Sequence, residues 1–159
     1  MRTSATDRVR AALETLGVHV QILEFSHSTR TAQDAAVAVG TTVAQIVKSL
    51  VFLADSRPVL VLASGANRVD PVRLASAATA AKARMASAEE VRDITGYSIG
   101  GVPPVGHATP LSIYLDQDLM RFEILYAAAG TPSAVFGISP QLLRDITGAR
   151  VVAIAAENL

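Results

Sequence analysis

Apolar positions recur at Val9, Ala12, Leu13 and Leu16, a spacing that predicts a helix over 6–16 closed by Gly17. VHVQILEF (18–25) alternates instead, as a strand does, and carries His19 within it. Thr31 before AQDAAVAV, with Asp34 three residues on, predicts a short capped helix that stops at Gly40. QIVKSLVF (45–52) is largely apolar on both faces, the pattern of a central strand covered on two sides. With PVLVLAS beyond an SRP turn (56–58), residues 46–64 predict a β-hairpin. Asp70 before Pro71, and Ser87 with Glu90, start two more helices, the second ending at Gly96. LSIYLD, RFEILYAAA, SAVFGIS and RVVAIAAE read as strands, and SPQLLRDITG as a helix capped by Ser139. Strands and helices interleave without a strict βαβ repeat, and no repeat, linker or low-complexity tract interrupts them. The expectation is one compact α/β domain spanning 1–159, with a curved mixed sheet of about six or seven strands and surrounding helices.

One residue breaks the central strand. Lys48 shares a face with Ile46, Leu50 and Phe52, while Val47, Ser49, Val51 and Leu53 take the other. Full burial would depress an uncompensated ammonium by roughly 3–5 pKa units. Either Lys48 lies at the strand's entrance and snorkels to water along its stem, or it serves a site.

Composition changes the balance. Of 14 Lys+Arg only Lys48 and Lys82 are lysines, so a chain that nearly always uses arginine has put a compact amine in its apolar strand. The 159 residues, 50% hydrophobic and 18% charged, suit one globular core. No apolar stretch approaches the roughly 20 residues of a membrane helix, and the N-terminus lacks the apolar block of a signal peptide, so a cytoplasmic location is expected. The absence of cysteine excludes disulfides, thiolate nucleophiles and Cys-ligated zinc. Zero net charge argues against a protein held to nucleic acid by charge alone, while leaving room for one that grips a short RNA end.

A second feature is GGVPPVGH (100–107), within a Gly- and Pro-rich stretch over 97–110. Adjacent glycines let a ligand approach bare backbone, and prolines stiffen the frame; the same residues also mark a plain turn. The loop is neither a P-loop nor a dinucleotide fingerprint. His19, His27 and His107 lack metal-ligand spacing, and no GxSxG elbow occurs. Asp116 and Asp118 close a strand, where a cap or turn role is the plain reading.

Thr31 to Gly40, QIVKSLVF, VLVLASG, ASAEEV, TGYSIGGVPPVG, YLDQDL and VFGIS occur in the order seen in the YbaK-like aminoacyl-tRNA deacylases. Over residues 25–157 the chain resembles that family and the editing domain inserted in bacterial prolyl-tRNA synthetase. The resemblance implies hydrolysis of the ester joining a wrong amino acid to the 3′ adenosine of tRNA, without metal or organic cofactor. It implies the tRNA 3′ end as partner, with an aminoacyl-tRNA synthetase as a further candidate, and no membrane. It makes Lys48 the signature lysine that holds the tRNA end and substrate. It also points to His27, Ser49, Gly65, Gly100, Gly101, Gly106, Asp116, Gly130 and Ser133 as substrate-binding positions. Where synthetase-embedded domains carry a histidine before the FGI strand, this chain has Ser133 and Ala134.

Two other classes fit the residues: a non-catalytic module binding an aminoacyl or nucleotide end, and a hydrolase of small aminoacyl esters that never meets tRNA. An open cleft at Lys48 favours an enzyme, and a basic rim from Arg68, Arg73, Lys82 and Arg84 favours tRNA.

Overall fold

A computed structural model of the chain describes residues 4–26 and 31–157. Among them, one mixed sheet contains β1 (Ile22–Glu24), β2 (Ile46–Ala54), β3 (Arg57–Ser64), β4 (Ala83–Met85), β5 (Ser112–Asp116), β6 (Leu125–Ala128), β7 (Ala134–Ile138) and β8 (Arg150–Val152). The helices are α1 (Ala5–Thr15), α2 (Ala32–Val39), α3 (Pro71–Ala77), α4 (Ala88–Thr95) and α5 (Pro140–Thr147). Across the sheet the order is β1, β7, β6, β2, β3, β5, β8. The hairpin of β2 and β3 is antiparallel, whereas β6 runs parallel to β2, and β5 parallel to β3 and β8. One edge of β2 is occupied by β3 over 47–54; β6 and β4 share the other.

The helix ends are set by the residues the sequence singled out. The Thr31 hydroxyl accepts the Asp34 N–H, and Gly40 closes α2 in the left-handed region. The Asp70 carboxylate caps α3 ahead of Pro71. Ser87 and Glu90 form a reciprocal capping box on α4, and Ser139 caps α5.

Alternation along β2 feeds two cores. Val47 and Val51 join Leu60, Leu62, Leu115 and Phe136 under Val9 and Leu13 of α1, Val91 of α4 and Leu143 of α5. Phe52 joins Val59, Val61 and Tyr114 under Leu74 of α3. Ile46, on that second face, packs with Ala35 and Ala36 of α2. The central strand is covered on both sides.

Four details depart from the sequence reading. The hairpin turns at Asp55 and Ser56, earlier than the SRP stretch: Asp55 takes φ +57°, which aspartate tolerates, and Arg57 and Pro58 already belong to β3. Pro58 faces Leu53, and β5 pairs with β3 only from Val59 onward, so no bond to β5 is lost for want of its N–H. β1, β6 and β8 are shorter than their apolar runs, and exposed His19 precedes β1. β4, three residues long, is too short to leave a period and exists by pairing with Phe52, Leu53 and Ala54.

Candidate functional site

The shared edge of β2 is split. β6 pairs with it only at Ile46 and Val47, and β4 takes over at Phe52. Residues 48–51 therefore have no ladder partner on that side among the described residues. The Gly65 N–H donates to the Ile46 carbonyl across the β3 edge, so alternation turns the backbone groups of Val47, Ser49 and Val51 toward the split. At its far end the Val51 carbonyl accepts the Ala86 N–H.

A cleft of about 260 Å³ opens at the split. Its walls come from both faces of the sheet: Ala35, Ile46 and Leu50 on one, Val51, Val91 and Val102 on the other. Lys48, Ser49 and Gly100 line it as well. The volume lies just under the roughly 300–1,000 Å³ of drug-sized pockets, so it suits a small acyl group rather than a whole nucleoside.

Lys48 is partly buried, and its ammonium donates to the Asn67 main-chain carbonyl. Burial pushes it below the ordinary lysine value, the Asp116 carboxylate pulls it back up, and the Arg68 guanidinium pushes it down again. Behind it stands a brace. The Asn67 amide donates to Asp116 at 2.9 Å and to Asp118 at 2.8 Å. Asp116, only 1% exposed, also accepts the Ser64 N–H at 3.1 Å and the Asp118 N–H at 3.0 Å. Parallel pairing of β5 with β3 brings this carboxylate, at the end of β5, to the end of β3 and the loop that follows. Asn67 was not singled out in the sequence; nothing in GANR distinguishes it until Asp116 is beside it.

The other sequence candidates lie at varying distances from the cleft. Gly65 packs on the Val43 and Ile46 carbonyls and Ala32, beside α2. Gly101 is pressed against the Gly130 and Thr131 backbone. Gly130, at φ +99°, backs onto Ala5 of α1, and Gly106 onto Ala12 of the same helix. Ser133 precedes Ala134, which lines the cleft, and its carbonyl accepts the Phe25 N–H. Asp116 does not line the cleft and reaches Lys48 through Asn67. His27 lies outside the described residues. His107 turns back on its own loop: Nε2 donates to the Pro103 carbonyl at 2.6 Å, and burial lowers its pKa.

The loop between α4 and β5 is thus a packed wall. Tyr97, Val102 and Val105 are buried in the core, and the Ala108 and Thr109 N–H groups return to the Thr95 and Ile94 carbonyls. Gly101→Ala should destabilise it, because the new Cβ would stand 2.8 Å from Thr131 Cα and 2.9 Å from the Gly130 oxygen, both backbone. The expected loss is about 1–3 kcal/mol in a denaturant titration. A neutral result would mean that the wall yields freely.

Among the described residues no cluster of His, Asp and Glu is arranged to hold a metal ion. Among the described residues no carboxylate and no histidine lines the cleft, so none of them stands as a base beside its hydroxyls there. What the cleft offers is a cation at one wall, bare strand edge and apolar packing.

Comparison with known proteins places this geometry. Residues 26–146 match the family model of the aminoacyl-tRNA editing domain. YwhH of Bacillus subtilis, an uncharacterised protein, is 33% identical over 82% of this chain and 83% of its own length. A proline–tRNA ligase of Bacillus licheniformis is 37% identical over 56% of this chain, a region amounting to 16% of the ligase. A crystal structure described as a proposed trans-editing enzyme for prolyl tRNA synthetase superposes with a TM-score of 0.92 at 46% identity, over 99% of this chain and 100% of that one. With the match to the family model running from before α2 into the last turn of α5, the chain belongs to the aminoacyl-tRNA editing domain family.

Proposed function

We propose that this protein is a trans-editing aminoacyl-tRNA deacylase of the cytoplasm, hydrolysing the ester between a wrongly attached amino acid and the 3′ adenosine of tRNA. The observation that carries the reading is a partly buried lysine lining a small cleft at a split in the central sheet, within a chain of the editing family. An Enterococcus faecalis relative, 23% identical over 84% of this chain, bears the name of a proposed Cys-tRNA(Pro)/Cys-tRNA(Cys) deacylase.

The chemistry asks little of a nucleophile. An aminoacyl ester is already activated, so positioning and charge stabilisation do most of the work. The oxygen of water bonds to the carbonyl carbon and the carbonyl oxygen takes up negative charge. The ester C–O bond then breaks; the adenosine oxygen leaves with one of the water's two protons, and the amino acid leaves as its carboxylate, its other proton passing to solvent. Lys48 catalyses by holding the tRNA end and offsetting the developing charge. Gly100 and Val102 close the acyl group in from the loop side. Apolar walls keep bulk water away, which strengthens that interaction. Deacylation of a panel of misacylated tRNAs by the purified protein is the direct test; no hydrolysis of any of them would defeat the reading.

None of Arg68, Arg73, Lys82 and Arg84 lines the cleft itself, and their pairing predicts a light grip on RNA. Arg73 is tied to Asp70 and Glu157, and Arg84 to Glu90. Arg68 and Lys82 have no ion pair among the described residues. With about two to four phosphates neutralised on a single-stranded end, log K should fall against log salt with a slope of about −1.4 to −2.8. Titrations at several salt concentrations measure it, and a slope several times steeper would require a wider footprint on the tRNA.

A further inference from the structure

The middle of β2 offers two main-chain groups that no ladder uses. One more parallel step would join the Ser49 N–H to the Ala128 carbonyl, but the pairing with β6 stops at Val47. From the other end β4 begins at Phe52, and the Ala86 N–H reaches only the Val51 carbonyl. The Ser49 N–H and C=O, both turned toward the split, are thus without a partner among the described residues. Backbone groups within a sheet are nearly always paired, so these two call for a reason. Ser49 lines the cleft although its hydroxyl oxygen is buried, so the hydrogen-bonding groups a ligand meets there are those of its main chain.

An α-aminoacyl ester carries the complementary pair, an amino group and a carbonyl oxygen on either side of one Cα. At the closely spaced positions of an antiparallel ladder, two facing residues each donate an N–H to the other's carbonyl. A single amino acid is enough to make both bonds. Among the described residues no carboxylate lines the cleft to draw the amino group elsewhere. Resting on the deacylase reading, we propose that the aminoacyl group binds as a one-residue strand against Ser49: its α-amino group donates to the Ser49 carbonyl, and the Ser49 N–H donates to its ester carbonyl oxygen. That N–H is then a fixed donor at the oxygen where negative charge develops, and it acts beside the charge of Lys48. The pairing reads the part that every aminoacyl ester shares. It leaves the side chain to the walls.

The test uses two amide-linked analogues that resist hydrolysis, 3′-alanylamino-3′-deoxyadenosine and 3′-propanoylamino-3′-deoxyadenosine, which differ only in the α-amino group. Titrated calorimetrically into the whole protein, the alanyl analogue should bind roughly 10–100-fold more tightly, because the propanoyl group leaves the Ser49 carbonyl unanswered. Amide hydrogen exchange, resolved by residue with NMR, reads the other bond. In the free protein the Ser49 amide should exchange fast for a central strand, and saturation with the alanyl analogue should slow it by roughly tenfold or more. The Leu50 amide, which faces β3, is the control and should change little. A Ser49 amide already protected in the free protein overturns the proposal, as does saturation that leaves it unchanged. Equal affinities for the two analogues, or failure of both to bind, overturn it too. Deacylation of misacylated tRNAs, followed in parallel, separates the two readings: hydrolysis by a protein whose Ser49 amide is unmoved removes the pairing and keeps the deacylase, and protection without hydrolysis does the reverse.

Discussion

Replacing Lys48 with alanine should slow single-turnover deacylation by about 10²–10³-fold, the usual consequence of losing one charge-stabilising contact at a reacting carbonyl. The fold should survive. The ammonium is held below its ordinary pKa chiefly by burial, which means that the folded protein keeps this charge at a cost. In the unfolded chain the proton is bound more tightly, so stability rises as pH climbs from the depressed value toward the ordinary 10.5. Below that window the penalty is fully present, and there the alanine variant should melt at the wild-type temperature or slightly above it. Lys48→Arg should not rescue the rate, because a planar guanidinium is too large to occupy the ammonium's position in this cleft. If the ammonium is the working form, the wild-type rate should also decline on the alkaline side at a pH lower than an exposed lysine would give. Thermal melts and single-turnover assays on the same preparations decide the matter. A variant that unfolds, or that deacylates at the wild-type rate, would make Lys48 a structural lysine.

That lysine was legible because it puts a charge into a strand largely apolar on both faces, in a chain with one other lysine. Helix ends were legible for a similar reason: caps such as Thr31, Asp70 and Ser87 act on N–H groups two or three residues away. The split that makes room beside Lys48 was not. It arises because β6 and β4, drawn from distant parts of the chain, take opposite ends of one edge of β2 and leave its middle bare. No periodicity encodes that. The glycines show the converse. Gly106 and Gly130 invite close approach, and bare backbone looks the same in sequence whether the neighbour is a ligand or, as here, helix α1. Asp116 was read both as a turn residue and as a site residue. It caps the Asp118 N–H, and it also reaches Lys48 through Asn67, a link that depends on β5 lying beside β3.

Asp116→Ala should be the costliest single change to the stability of this site, about 2–4 kcal/mol, because it leaves the Ser64 and Asp118 N–H groups without their acceptor. The Asn67 amide would retain Asp118 alone, so the carbonyl that holds Lys48 loses one of its two anchors. Lys48 would also lose the one anion that raises its pKa, leaving burial and Arg68 to act unopposed. A displaced or neutral amine lowers the rate, and a shift of about 1 Å in a positioned group can cost 10²-fold. Asp116→Asn separates rate from folding: its amide oxygen still accepts one donor while the negative charge is gone, so it should melt nearer the wild type yet remain slow. Asp118→Ala, which removes one bond to Asn67 from a partly exposed position, should do less on both counts. Combining Asp116→Asn with Lys48→Ala is the decisive measurement. If Asp116 serves the reaction only by bracing Lys48, the double variant should deacylate no more slowly than Lys48→Ala alone, within a factor of two to three. A rate lower by the product of the two single effects would show Asp116 acting on the ester by a route that bypasses the lysine.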